Sequence, residues 1–268
     1  MFAMMPPAYF TMLHPADTTE LSAPMRWTRG TLMALYKPHG LLVHNSAFAG
    51  PKEEPLIDRV EAQTQQRCYP LHRIDRGTSG LVLAVNARDE SGRWMQALHR
   101  AETVREYIVV LRGHLEHTVR VERPIPDEHG EPQEAQTIFA PMRQSKIARL
   151  TLARARILTG RTHQIRRHAR SLGHPVLNDS NWGDTRFNRQ VREAHSIDRM
   201  LLHAWRVQMT GPDGAEYDVV CLPDQGFQAC IARLFDFESW VTFGGMSTLS
   251  TDAPFVYRVK GGSLEAVG

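Results

Sequence analysis

The segment His72-Arg73-Ile74-Asp75-Arg76-Gly77-Thr78-Ser79-Gly80, running straight into Leu81-Val82-Leu83-Ala84-Val85, decides how this chain is read. It sets one carboxylate among cations on a turn that feeds an apolar run. Adjacent guanidiniums favour the ionised carboxylate, so Asp75 is expected to be charged at neutral pH and ready to act as a nucleophile. Gly77 and Gly80 bracket Thr78 and Ser79, which suits a tight turn whose amides face a ligand and whose following strand supplies rigidity. Taken alone, the same residues also describe a solvated turn with a surface ion pair, which is common and worth little. Other segments have to shift that balance.

Working outward, further apolar runs end in turn signals: Leu32–Tyr36 before Lys37-Pro38-His39-Gly40, and Tyr107–Leu111 before Arg112-Gly113. With Leu81–Val85 these read as strands. Trp94, Met95 and Leu98 recur at helical spacing, which predicts a helix after the Asp75 strand. Leu201–Met209 and Glu216–Cys221 flank Gly211-Pro212-Asp213-Gly214 and predict a hairpin. Strands outnumber helices and often connect by short turns. The class expected is therefore α+β with a largely antiparallel or mixed sheet, not a doubly wound nucleotide fold.

A second constellation lies downstream. From Arg143 to Arg170 the chain carries Arg143, Lys146, Arg149, Arg154, Arg156, Arg161, Arg166, Arg167 and Arg170 with no Asp or Glu. A one-sign block usually disorders or binds something anionic. Here it is interleaved with Ile147, Leu150, Leu152, Ile157, Leu158 and Ile165, so it is expected to fold and to meet a polyanion. Ala148–Leu158 reads as a strand whose period of two puts Arg154 and Arg156 on one face. A turn at Thr159-Gly160 leads into a helix over Arg161–Arg170, stopped by Gly173 and Pro175. On it Ile165, His168 and Leu172 face the core, while Arg166 and Arg170, four apart, share another face. The start of that helix, with its backbone donors, Thr162 and guanidiniums, suits phosphate. His163 alone reads more readily as a structural histidine, and Tyr107 as a core aromatic.

Composition sets the outer bounds. A chain of 268 residues, 42% hydrophobic and 23% charged, is ordinary for a globular protein with a substantial core. Its net charge of +3 is too small to establish a nucleic-acid partner by itself. The three cysteines, Cys68, Cys221 and Cys230, are odd in number and widely spaced, which fits a reducing compartment and offers no zinc pattern. No run approaches a membrane span and Met1–Pro7 lacks the features of a signal peptide, so a cytoplasmic location is expected. Residues 1–30 are expected to form a loosely held extension, 31–243 the folded domain, and 244–268 a flexible tail.

Lys37-Pro38-His39-Gly40, His72–Gly80, Arg105-Glu106-Tyr107 and Gly160–Arg166 occur in that order, with Leu202-His203-Ala204 near the end. This ordered set resembles the pseudouridine synthases of the RluA/RsuA type, from about residue 31 to residue 235. The absence of an S4-like RNA-binding domain before the core favours the RluA branch. The resemblance implies a pseudouridine synthase fold, with a central sheet, flanking helices and loops, and a catalytic cleft across the sheet. It implies Asp75 as nucleophile, Tyr107 as the base-stacking residue and candidate general base, and Arg166 as the ion-pair partner of Asp75. Arg73 would enter the RNA where the target uridine has left. Further RNA contacts are expected from Arg76, Arg154, Arg161, His163, Gln164, Arg167 and Arg170. The segment His174–Arg189, through Asp179-Ser180, Gly183-Asp184, Arg186 and Asn188-Arg189, is similar to tRNA-modifying members of the branch, which implies uridine-65 of tRNA as target. Two departures stand out: Arg105 where lysine is common, and Asn178 where glycine usually precedes the aspartate.

Such a reaction breaks the N1–C1′ bond, turns the uracil and rejoins it through C5. A hydrolase of glycosidic bonds usually needs two carboxylates, whereas here one acid stands among cations. It adds to C1′ or to C6, or stabilises charge on the ribose, and the sequence does not choose among these. The target must be unstacked at a cost of a few kcal/mol, offset by phosphate contacts and the Arg73 wedge. No cofactor and no metal are expected. The expected partner is structured RNA, tRNA ahead of ribosomal RNA, with no membrane and with the chain acting as a monomer. A ribosomal RNA synthase of the same branch is the closest alternative. A catalytically silent RNA-binding module would not need Asp75, and a kinase reading of His-Arg-x-Asp fails for want of a glycine-rich loop and Asp-Phe-Gly.

Overall fold

The computed structural model describes residues 8–13, 26–45, 54–235, 257–260 and 263–266. In chain order the elements are β1 (Ala8–Leu13), β2 (Arg26–Arg29), β3 (Leu32–Lys37), α1 (Leu56–Thr64), β4 (Tyr69–Pro70), β5 (Ser79–Val85), α2 (Ser91–Leu98) and β6 (Val104–Arg112). There follow β7 (Val119–Glu122), β8 (Ile125–Pro126), β9 (Pro132–Gln133), β10 (Thr137–Gln144), β11 (Leu150–Ile157), α3 (Gln164–Ser171) and α4 (Thr185–His195). The chain continues through β12 (Leu202–Thr210), β13 (Glu216–Cys221), α5 (Gln225–Leu234), β14 (Tyr257–Lys260) and β15 (Ser263–Ala266). This is the α+β class expected. The elements sort into two compact units, Met1–Arg105 with Ala204–Gln225, and Glu106–His203 with Gly226–Gly268.

In the first unit the strand order is β1-β13-β12-β5-β3-β2. β3 and β5 are antiparallel, with Leu32 opposite Val85 and Lys37 opposite Gly80, and every residue of both is buried. A strand covered on both faces has no reason to alternate, which is why Leu32–Leu35 and Leu81–Val85 are unbroken apolar runs. The expected hairpin joins β12 and β13: the Gly211 amide donates to the Ala215 carbonyl at 2.8 Å and the Gly214 amide to the Gly211 carbonyl at 3.0 Å. Trp94 of α2 meets Tyr217 of β13 edge to face, with centroids 5.3 Å apart. Of the extension expected over 1–30, residues 8–13 and 26–29 form β1 and β2. β1 runs parallel to β13, from Ala8 opposite Glu216 to Leu13 opposite Cys221. The rest of that extension, residues 1–7 and 14–25 with Gly30 excepted, lies outside the described residues. The same is true of the expected tail apart from β14 and β15.

In the second unit β7, β10, β11 and β6 form antiparallel pairs in that order, and β14 lies parallel to β7. Val109, Leu111, Phe139, Ala153, Ala155 and Ile157 form a core against which Ile165 and Ala169 of α3 pack. His168 is buried beneath the same helix. Its Nε2–H donates to the Arg123 carbonyl at 2.8 Å, which leaves Nδ1 to accept from the Thr137 hydroxyl at 2.9 Å. Burial pushes this imidazole down to about 4; the Arg123 carbonyl opposes the shift, and the Arg167 and Arg123 charges reinforce it. An unfolded histidine titrates near 6.5, so on acidification the unfolded chain takes up the proton first. The stability contributed by neutral His168 is full above that value and drains away as pH falls towards 4. Denaturant unfolding is expected to show a loss of about 2 kcal/mol from this group between pH 7 and pH 5. His168→Gln should flatten that dependence. An unchanged pH profile in the variant would remove His168 as its source.

Candidate active site

The Asp75 turn belongs to the first unit, and its backbone is tied down by hydrogen bonds. The Thr78 amide donates to the Asp75 carbonyl at 2.9 Å, and the Gly40 amide to the Arg76 carbonyl at 2.8 Å. Arg76 returns the contact, its Nε donating to the Gly40 carbonyl at 2.9 Å. His39 Nδ1 donates to the Gly77 carbonyl at 2.8 Å. Lys37, fully buried at the end of β3, sends its ammonium to the carbonyls of Leu41 at 2.7 Å, Pro38 at 2.8 Å and Arg76 at 3.2 Å. A buried cation is tolerated only when hydrogen-bonded, and here its partners tie the 37–41 turn to the 75–77 turn. The Lys-Pro-x-Gly motif is thus a clamp on the loop that bears Asp75.

His72 anchors the other side, its Nε2 accepting the Leu83 amide at 3.0 Å. Burial, with help from the Arg105 and His99 charges, pushes its imidazole down to about 4, so it is a neutral acceptor at pH 7. Ile74 is buried, Asp75 half-buried, and Arg73 and Arg76 are exposed. Gly80 has φ +115°, and a Cβ there would meet the Ala204 carbonyl oxygen and, at 2.7 Å, the Ala204 nitrogen. This places Ala204 of the Leu202-His203-Ala204 motif in the argument: its backbone lies where only a glycine fits. Gly80→Ala is expected to cost on the order of 2–3 kcal/mol of stability, because both the dihedral and the clash must be relieved. A melting point like that of the unsubstituted chain would contradict the close approach.

Tyr107 and Arg166 belong to the second unit. Tyr107, on β6 opposite Ala155, is half-buried against the core under α3. Arg166 is buried on α3 and grips buried Asp179 with both sides of its fork, Nε to Oδ2 at 2.7 Å and Nη2 to Oδ1 at 2.8 Å. Asp179 Oδ1 also accepts the amides of Asn181 at 2.9 Å and Trp182 at 3.0 Å. Burial alone would raise this carboxyl; the Arg166 hydrogen bonds and charge, with the two amides, outweigh it and hold the group below its usual range. The family resemblance offers Asp75 as the ion-pair partner of Arg166; the structure also gives Arg166 a bidentate pair with Asp179.

The neighbouring positions explain the segment's composition. A Cβ at Gly183 would collide with the Asp179 carbonyl and, at 2.7 Å, with Asn188 Nδ2. Asp184 caps α4, accepting the Phe187 amide at 2.9 Å. Asn178 has φ +59°, the region in which glycine is most at ease and asparagine next. The departure from glycine therefore keeps the turn, and Asn178 Nδ2 donates to the Ile197 carbonyl at 2.7 Å.

The remaining expected contacts divide. Arg161 and Arg170 are exposed; the first donates to the Glu134 carbonyl at 2.9 Å, the second to that of Trp182 at 3.1 Å. Arg167 donates to the Pro126 carbonyl at 3.1 Å and lies 5.2 Å from the Trp182 ring centroid. His163 takes φ +56° just before α3, and the Trp182 indole donates to its Nδ1 at 3.3 Å. Two of the expected RNA contacts are buried against the protein itself. Gln164 is buried, accepting from Thr159 Oγ1 at 2.7 Å and the Arg161 amide at 3.0 Å while donating to the Gln136 carbonyl at 2.9 Å and Thr137 Oγ1 at 3.0 Å. With both ends of its amide engaged, it braces the 159–161 turn. Arg154 is buried too, 3.9 Å from the fully buried Glu106 carboxylate, because the β11 face that carries it is covered along its length.

Residues 31–171 match the family described as RNA pseudouridylate synthase. The chain belongs to that family. It is a pseudouridine synthase, an isomerase that acts on RNA. It is 31% identical to tRNA pseudouridine synthase C of Haemophilus ducreyi over 78% of this chain and 93% of that one. To the protein of the same name from Pasteurella multocida it is 28% identical, over 77% and 93%. The human RNA pseudouridylate synthase domain-containing protein 1 shares the fold, with a TM-score of 0.66 at 20% identity, over 85% of this chain and 95% of that one. No helix among the described residues is long and apolar enough to cross a membrane.

Proposed function

We propose that this synthase converts uridine-65 of tRNA to pseudouridine in the cytoplasm, with Asp75 as nucleophile. The observation that carries the tRNA reading is the match to two relatives named tRNA pseudouridine synthase C along 93% of their length. The Asp179–Arg189 segment supports it by its resemblance to tRNA-modifying members of the branch. Asp75 stands on a turn whose backbone is fixed by hydrogen bonds and by Lys37, which limits how far the turn must move when the nucleotide arrives. In the reaction the N1–C1′ bond breaks, the freed uracil turns, and a C5–C1′ bond forms. C5 gives up a proton and N1 gains one, so nothing is added overall. Tyr107 stacks on the uracil and takes part in the proton transfer, Arg166 holds the charge of the site, and exposed Arg73 fills the gap the uridine leaves.

RNA contacts are assigned to Arg73, Arg76, Arg161, His163, Arg167 and Arg170. Removing the charge of Arg170 is expected to weaken RNA binding and lower the slope of log affinity against log salt by about one. Arg154→Ala should instead lower stability and leave that slope unchanged. The reverse pattern would put the basic strand face, not α3, against RNA. The target is tested by chemical mapping of pseudouridine in total RNA from cells with and without the protein. Loss of signal at a single tRNA position supports the reading; loss in ribosomal RNA alone replaces it with the ribosomal alternative.

A further inference from the structure

The second unit contains a cavity of about 550 Å³ that the catalytic assignments leave unused, lined by Arg112, His114, Arg149, His174, Phe187 and His195 among others. Its lining residues include two guanidiniums and three imidazoles but no carboxylate. Asp184 engages Arg112 from α4, with Oδ2 2.6 Å from Nη1.

The shape is built by specific residues. Gly113, at φ +86°, leaves the room in which the His174 ring sits, since a Cβ there would come within 2.8 Å of Nδ1. That Nδ1 donates to the Arg112 carbonyl at 2.9 Å, which fixes the ring. The Gly113 amide donates to the Arg149 carbonyl at 2.6 Å, which fixes the turn bearing the exposed Arg149. The Arg112 guanidinium lies 5.3 Å from the Phe187 ring centroid. α4 supplies Phe187, Gln190, Val191 and Ala194 to the wall at helical spacing. Its neighbouring side chains Arg186, Arg189 and Arg192 are all exposed.

We propose that this cavity binds a second nucleotide of the substrate RNA, its phosphate on Arg149 and its base against Phe187. The proposal rests on the RNA-modifying assignment. Volume and chemistry suit one nucleotide: a drug-sized site with a ring for stacking and cations for phosphate. The guanidiniums of α4 continue beyond the cavity, which favours a polyanion over a free phosphate. Stacking on a ring is tolerant of base identity, so the cavity secures the RNA's position and leaves sequence unread. Its lining includes Gly173 and His174, just past the end of α3.

The test uses the full chain and an unmodified tRNA transcript. Ultraviolet cross-linking followed by mass spectrometry is expected to place a nucleotide adduct on the peptide containing Phe187, and Phe187→Leu should abolish it. Arg149→Glu is expected to weaken tRNA binding about tenfold and to reduce its salt slope, with millimolar inorganic phosphate a poor competitor. Adducts elsewhere but none at Phe187, together with unchanged affinity in Arg149→Glu, would overturn the proposal. Effective competition by phosphate alone would also overturn it, in favour of a small-anion site. Pseudouridine formation by the unsubstituted chain is measured in parallel. Its absence counts against the tRNA reading, while binding and cross-linking still judge the cavity.

Discussion

Asp75→Asn is expected to abolish pseudouridine formation, by ~10⁴-fold or more in single-turnover rate, while the fold and RNA binding persist. Hydrogen bonds to the backbone carbonyls of Asp75, Arg76 and Gly77 hold the 75–77 turn, and asparagine keeps these. The amide is nearly the same size as the carboxylate and is a poor nucleophile. A loss confined to chemistry therefore points to the carboxylate itself. The measurements are pseudouridine yield by mass spectrometry, melting temperature, and tRNA affinity. Residual activity above about one hundredth of the unsubstituted rate would remove Asp75 as nucleophile, because an enzyme stripped of its covalent nucleophile keeps far less. A large drop in melting temperature would mean that the side chain is part of the clamp.

What the sequence disclosed follows from how local each feature is. Period and turn chemistry suffice for β13, predicted and found at Glu216–Cys221, because Gly211-Pro212-Asp213-Gly214 closes the hairpin by bonds within itself. The helix expected from Arg161 begins at Gln164, because the Gln164 side chain caps the Arg161 amide and His163 breaks the helical dihedrals. Alternation correctly paired Arg154 with Arg156 on one face of β11, yet a period cannot tell whether a face meets water. α1 and α4 went unforeseen although Leu56, Ile57 and Val60 recur at helical spacing and Asp184 stands as a cap three residues before Phe187. Lys37 was legible as part of a motif, but its role was not: three carbonyls from two turns converge on it only in the folded chain. Asp179 is the clearest case of this kind, thirteen residues beyond Arg166 and outside any periodic pattern.

Asp179→Ala is expected to be the most destabilising single substitution in the second unit, at about 3–5 kcal/mol, because it strands a buried guanidinium. Two amides, those of Asn181 and Trp182, lose their acceptor at the same time. For a domain of this size such a loss lowers the melting temperature by roughly 10 °C or more. Because the folded carboxyl is held below its ordinary range, the pair's contribution is present at neutral pH and is lost only as pH falls through the folded value. Stability alone would not show that Asp179 positions Arg166 for catalysis, so the decisive variant is the double one. Replacing both partners by apolar residues, Arg166→Met with Asp179→Leu, removes the stranded charge and is expected to recover most of the lost stability, as buried pairs commonly allow. Activity should stay as low as in Arg166→Met alone. Asp179→Asn keeps one oxygen acceptor but loses the charge and the second acceptor, and it should lower kcat more than it raises KM for tRNA. If the double variant regains activity along with its melting temperature, the pair is a structural strut and Arg166 has no part in the reaction. If activity stays lost in a stable, RNA-binding protein, Asp179 acts through Arg166, holding it in place on α3.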